Sequence, residues 1–80
     1  MTLGYITPVG RVLRQYRVDH DILLRDMAAV LGVESSWLSN IEMGRRSVPE
    51  DFVIRLSNAF RLTTDELHNL QAAVEESHKR

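Results

Sequence analysis

The run Asp26-Met27-Ala28-Ala29-Val30-Leu31-Gly32-Val33-Glu34-Ser35-Ser36-Trp37-Leu38-Ser39-Asn40-Ile41-Glu42-Met43-Gly44 decides the architecture of this 80-residue chain. Its apolar residues recur at three- and four-residue spacing on either side of Gly32, the pattern of two amphipathic helices. The first begins near Ile22 and closes at Gly32, a residue that accepts the left-handed conformation found just past helix ends. The second takes capping-type residues from Glu34-Ser35-Ser36 and stops at Gly44. Working outward, Thr7 before Pro8 marks a helix start, with proline where its missing N–H is not needed. Val9, Val12, Leu13 and Tyr16 carry that first helix to a polar break at Asp19-His20-Asp21. Downstream, Ser47 and Glu50 form an S-x-x-E capping pattern around Pro49, ahead of a stripe of Phe52, Val53, Leu56, Ala59 and Phe60. Thr63 or Thr64, with Glu66, opens a fifth helix bearing Leu67, Leu70, Ala73 and Val74. No strand-length alternation and no Asn-Gly or Asp-Gly hairpin signal interrupts the series. The chain therefore reads as all-α, a compact five-helix bundle.

Composition narrows the function. At 44% hydrophobic and 26% charged residues the chain is an ordinary folded domain, and its length allows one small core without a separate ligand-sensing module. Absence of cysteine removes disulfides, thiolate metal sites and cysteine nucleophiles. No apolar run approaches the roughly 20 residues of a spanning helix, and no leader pattern opens the chain, so a cytoplasmic protein without membrane contact is expected. His20 sits in an inter-helix break, and His68 and His78 are ten residues apart rather than at the four-residue spacing that sets two ligands on one helix face. No phosphate loop or nucleophile elbow is present. These features point to no enzyme, no metal and no cofactor.

Two short helices joined by a glycine-containing turn match the helix-turn-helix arrangement, in which the first helix braces against the DNA backbone and the second enters the major groove. Residue identities sharpen this. The Met27-Ala28 pair ahead of Gly32 and the run Leu38-Ser39-Asn40-Ile41-Glu42-Met43-Gly44-Arg45-Arg46 closely resemble the phage repressor and Cro-type (Xre-like) helix-turn-helix family. The likeness extends back to Val9 and forward to Leu67 without a gap. It implies a five-helix bundle of the phage-repressor DNA-binding-domain type, with an N-terminal arm over residues 1–6, the helix-turn-helix domain over 7–62 and a C-terminal helix over 63–80 that serves dimerisation.

Carried over position by position, the resemblance makes Ser35, Ser36, Ser39 and Asn40 the residues that face base edges. An Asn amide pairs bidentately with adenine N6 and N7, and a serine hydroxyl donates or accepts at several edges. Arg45 and Arg46 are the implied phosphate contacts, with Arg25 and Arg11 as further candidates. Trp37 takes either of two roles, packing on the following helix or lying over sugar and phosphate. The usual polar residues at the start of the second helix are replaced by Leu23 and Leu24, which weakens one backbone anchor. Arg17 and Glu42 occupy the positions of a structural ion pair between the first and third helices. Leu67, Leu70, Ala73 and Val74 are the expected dimer interface, and double-stranded DNA and a second copy are the expected partners.

A net charge of −1 sits awkwardly with nucleic acid, for binders usually carry a basic excess. The imbalance is uneven: through residue 62 eight arginines face seven acids, while beyond it Lys79 and Arg80 face four acids. The body is mildly basic and the tail acidic. The reading is a sequence-specific transcriptional regulator, a repressor of bacterial or phage type that binds a palindromic operator as a homodimer. Two alternatives stay open: an antitoxin that binds its operator and a protein partner, and a protein-interaction adaptor.

Overall fold

Thr7 caps the first helix and ties it to the third. In the computed structural model, which describes residues 6–78 and side chains as far as Ser77, the Thr7 hydroxyl accepts from the Gly10 N–H at 3.1 Å. The same hydroxyl donates to the Glu42 carbonyl at 2.9 Å, and the Thr7 N–H donates to it at 3.0 Å. Five helices follow in order: α1 (Pro8–His20), α2 (Leu24–Leu31), α3 (Ser35–Glu42), α4 (Phe52–Phe60) and α5 (Thr64–His78). No strand occurs among the described residues. Apart from Ile6, the arm expected over residues 1–6 lies outside them, as do Lys79, Arg80 and the His78 side chain.

The helix ends obey local chemistry. Gly32 ends α2 with φ 75°, and the Val33 N–H returns to the Ala28 carbonyl at 2.9 Å. Thr63 and Glu66 form a reciprocal capping box at the head of α5: the Glu66 carboxylate accepts from the Thr63 N–H at 2.9 Å, and the Thr63 hydroxyl accepts from the Glu66 N–H at 3.1 Å. Asp21 and Arg61 close α1 and α4 in the left-handed region, at φ 56° and 53°. Two expected caps are absent. Glu34 precedes α3 without a side-chain cap bond. The Ser47–Glu50 box does not form, because Val48 is drawn into the core and Pro49 to Phe52 makes a turn closed by the Phe52 N–H on the Pro49 carbonyl at 3.1 Å. Helix α4 consequently starts at Phe52, beyond the reach of that pair.

Helix α1 is the centre of the bundle, packed between α3 and α5. Val9 and Leu13 on α1 are fully buried, together with Met27, Leu38, Ile41 and Leu70 from the other helices. Each such side chain contributes roughly 1.5–3 kcal/mol of burial. Gly10 is fixed by proximity rather than by dihedral angle: a methyl group there would collide with the Glu42 carbonyl oxygen and with Ile6. At the far end, the Ser77 hydroxyl of α5 accepts the Val9 N–H at 3.2 Å, satisfying one of the free donors at the start of α1. Arg55 of α4 donates to the Leu31 carbonyl at 2.7 Å and so closes the C-terminus of α2.

The apolar stripe of α5 is mostly spent inside the chain. Leu70 and Ala73 are 1% and 6% exposed, while Leu67 and Val74 are half-buried. As an interface between copies, the expected set Leu67, Leu70, Ala73 and Val74 is thereby reduced to its first and last members.

Candidate nucleic-acid interface

A three-residue turn, Gly32 to Glu34, separates α2 from α3. Within α3 the helical period sorts the residues: Leu38, Ile41 and Glu42 are buried, and Ser35, Ser36, Ser39 and Asn40 fall on an arc that runs from the edge of that buried stripe towards solvent. Of these four, Ser36 is exposed and the others half-buried. The structure thus brings all four expected base readers onto one surface. Gly44, at φ 79°, turns the chain immediately after α3, and the Asn40 carbonyl accepts from the Arg45 and Arg46 N–H groups at 2.9 and 3.2 Å. That fold-back brings the backbone of Arg45 and Arg46, both exposed residues, against the last turn of α3.

Trp37 takes the packing role. Its ring lies 6.3 Å from that of Phe52, tilted by 44°, and the Arg46 guanidinium carbon stands 5.9 Å above it. Such a cation–π contact holds Arg46 near the surface without removing its donors from solvent. Among the described residues the Arg45 side chain has no ion pair or hydrogen bond. Arg25 is exposed in the first turn of α2, whereas Arg11 is not brought to this surface. It lines a groove between α1 and α5, on the flank of α1 turned away from α3, a position that makes no phosphate anchor beside the α3 face.

Below the surface, Arg17 and Glu42 form the expected pair. Both are buried, at 8% and 2% exposure, and the two nitrogens of Arg17 reach the two carboxylate oxygens at 2.5 and 3.1 Å. The Met27 sulfur, 3.4 Å from Arg17 Nη1, fills the remaining space. Sequence reasoning missed Arg14, whose Nε lies 3.6 Å from Glu42 Oε1 and whose side chain remains half in solvent. Its signal was present: Arg14 stands one turn before Arg17, so any acid facing Arg17 meets both. Arg14 also reaches the Met43 sulfur at 3.9 Å, at the edge of the α3 surface.

The start of α2 departs from an anion site. Leu23 is 54% exposed and offers no acceptor, while Asp26 reaches back to accept the Leu23 N–H at 3.3 Å. A carboxylate placed on those donors competes with phosphate for them.

Among the described residues no group of three or more His, Asp or Glu side chains is arranged to hold a metal ion, and no helix is long and apolar enough to cross a membrane. Comparison with known proteins returned neither a curated sequence nor a solved structure that matches the chain. A family model described as a helix-turn-helix domain matches residues 8–70, from the first residue of α1 to the middle of α5, and includes the Gly32 turn and the whole of α3. A matched span of that length establishes that the chain belongs to the helix-turn-helix family of DNA-binding domains.

Proposed function

We propose that this protein is a sequence-specific transcriptional repressor of the phage repressor and Cro type, acting in the cytoplasm on a palindromic operator as a homodimer. The observation that supports the reading is the half-exposed arc of α3 carrying Ser35, Ser36, Ser39 and Asn40, followed at once by the exposed residues Arg45 and Arg46, whose backbone folds onto Asn40. Asn40 supplies the most discriminating contact, a bidentate pair with adenine, and the serines add shorter-range selection. Arg45, Arg46 and Arg25 set the register on the phosphates. Two copies would place their α3 helices about one helical turn of DNA apart, roughly 34–36 Å. Leu67 and Val74 offer the apolar edge for that pairing, since Leu70 and Ala73 are already committed to α1.

The net charge of −1 bears on how such a protein binds. With little long-range attraction for random DNA, affinity depends on pairing of copies and on fitted groove contacts. Fluorescence anisotropy against a selected duplex and a random duplex, at low and moderate salt, tests this. The expected result is clear preference for the selected duplex, with Arg45→Ala and Arg46→Ala weakening binding to both duplexes and flattening the salt dependence by about one counterion each. Failure to bind any duplex at low salt would overturn the reading.

An antitoxin role is the second reading. Val18, Leu23, Val30 and Ile54 are large apolar side chains more than half exposed, and a protein partner that covers them gains burial energy.

A further inference from the structure

On the flank of α1 away from α3, helices α1 and α5 part to leave an open groove of about 460 Å³. Its floor is apolar, made by Val12, Tyr16, Leu56, Leu62 and Leu70. Its rims are not. Asp19 on α1 and Glu66 and Glu76 on α5 lie along the opening, with Arg11 the one basic residue among the described residues that line it. Two of these carboxylates are held in place: Asp19 accepts from Gln15 at 2.9 Å, and Glu66 is fixed by its capping bond to Thr63. His20 approaches Glu66 at 3.8 Å from the end of α1. From Pro8 to Asp19 the groove follows twelve residues of α1, about 17 Å at a helical rise, which is the length of three turns.

We propose that this groove is a docking site for a basic amphipathic helix of a partner protein. An apolar trough of helical length with polar rims is the shape that receives the apolar face of a helix through side chains at i, i+3 or i+4, and i+7. The excess of carboxylate over guanidinium on the rims selects lysine and arginine on the flanks of that helix. The same excess argues against the other occupants. Two copies of the chain meeting groove to groove would bring like-charged rims together, and phosphate would be repelled. Gly10, Arg14 and Arg17 are absent from the lining and face α3, so the α3 surface stays open while the groove is filled. Leu67 and Val74 are likewise absent from it, which keeps pairing of copies separate from docking. The inference stands whether or not the repressor reading holds, because it uses none of the α3 residues.

Three fluorescein-labelled peptides of about four helical turns test it: one with leucines at helical spacing flanked by lysines, the same with glutamates replacing the lysines, and a scramble of the lysine peptide with equal charge. Binding to the full chain is read by anisotropy, and the site by amide chemical-shift mapping. The expected result is saturable binding of the lysine peptide alone, with shifts at Val12, Tyr16, Asn69 and Ala72. Asp19→Lys with Glu76→Lys should weaken it by about tenfold or more. Ala72→Trp, at an exposed position on the groove edge, should block it, and circular dichroism confirms that each variant is folded. Equal binding of the lysine and glutamate peptides, equal binding of the scramble, shifts outside the groove, or no binding at all would each overturn the proposal. Groove shifts that depend on protein concentration without peptide would overturn it in favour of a second copy.

Discussion

Replacing Glu42 by glutamine should be the most damaging single-atom-scale change available in this chain. The carboxylate is 2% exposed and receives both nitrogens of Arg17, itself 8% exposed. Glu42→Gln keeps the shape but leaves a guanidinium buried without a counter-charge, a situation that costs about 3–5 kcal/mol. For a domain of this size, with total stability of about 4–12 kcal/mol at 0.05–0.15 kcal/mol per residue, that is a large share. A loss of 3 kcal/mol corresponds to a Tm drop of roughly 12–24 °C. The structure further predicts an asymmetry. Arg17→Met leaves Glu42 with Arg14, whose Nε is already 3.6 Å away and whose side chain has freedom in solvent to close, so the loss should be about half as large. The double variant Arg17→Met/Glu42→Leu removes both charges and should lie within about 1–2 kcal/mol of the parent. Urea titrations followed by helical circular dichroism supply the stabilities, with Glu42→Leu alone measured as well so that the parent, Arg17→Met, Glu42→Leu and the double variant close a cycle. A Glu42→Gln loss below about 1 kcal/mol, or a double variant equal to the sum of the two singles, would refute this account of the pair.

Gly10→Ala sets two effects against each other. Helix propensity favours alanine by about 1 kcal/mol, but its methyl group meets the Glu42 carbonyl that also anchors Thr7, so a net loss of about 1–3 kcal/mol is expected in the same titration. Arg61→Gly relieves a left-handed residue at φ 53° and should raise stability by about 0.5–1 kcal/mol; a loss would show that the Arg61 side chain matters. Burial and the nearby Glu66 carboxylate raise the Tyr16 hydroxyl above its ordinary value near 10. The unfolded chain therefore releases this proton first, and the stability the neutral phenol provides is present below that value and lost as pH climbs through the raised one. Thermal melts between neutral and strongly alkaline pH should show a decline that Tyr16→Phe reduces.

Much of this was legible because the signals were local. Thr7-Pro8, Gly32 and the Thr63–Glu66 box each carry within a few residues the chemistry that ends or begins a helix. The four expected readers came from the family resemblance, carried over position by position, and not from the helical period. Other features needed the tertiary contact to be seen. The Ser47–Glu50 pattern had the right letters, yet burial of Val48 and the Pro49 turn moved the helix start to Phe52. The stripe on α5 looked available to a second copy because nothing in its spacing says that Leu70 and Ala73 meet α1. Arg11 and Arg14 are alike in sequence, but one lines the acidic groove and the other joins Glu42. Ser77 binds the Val9 N–H across nearly the whole chain, a distance no local pattern spans.

The central claim is that the outward face of α3 reads base edges, and Asn40 tests it most directly. Affinity of the parent and of Asn40→Ala should be measured for a selected duplex and for a panel carrying every single base-pair change within it. The account predicts a loss of about 1–3 kcal/mol on the selected duplex, with discrimination relaxed at one base pair in each half-site and unchanged elsewhere. An equal loss against every duplex in the panel, or no loss at all, would contradict it.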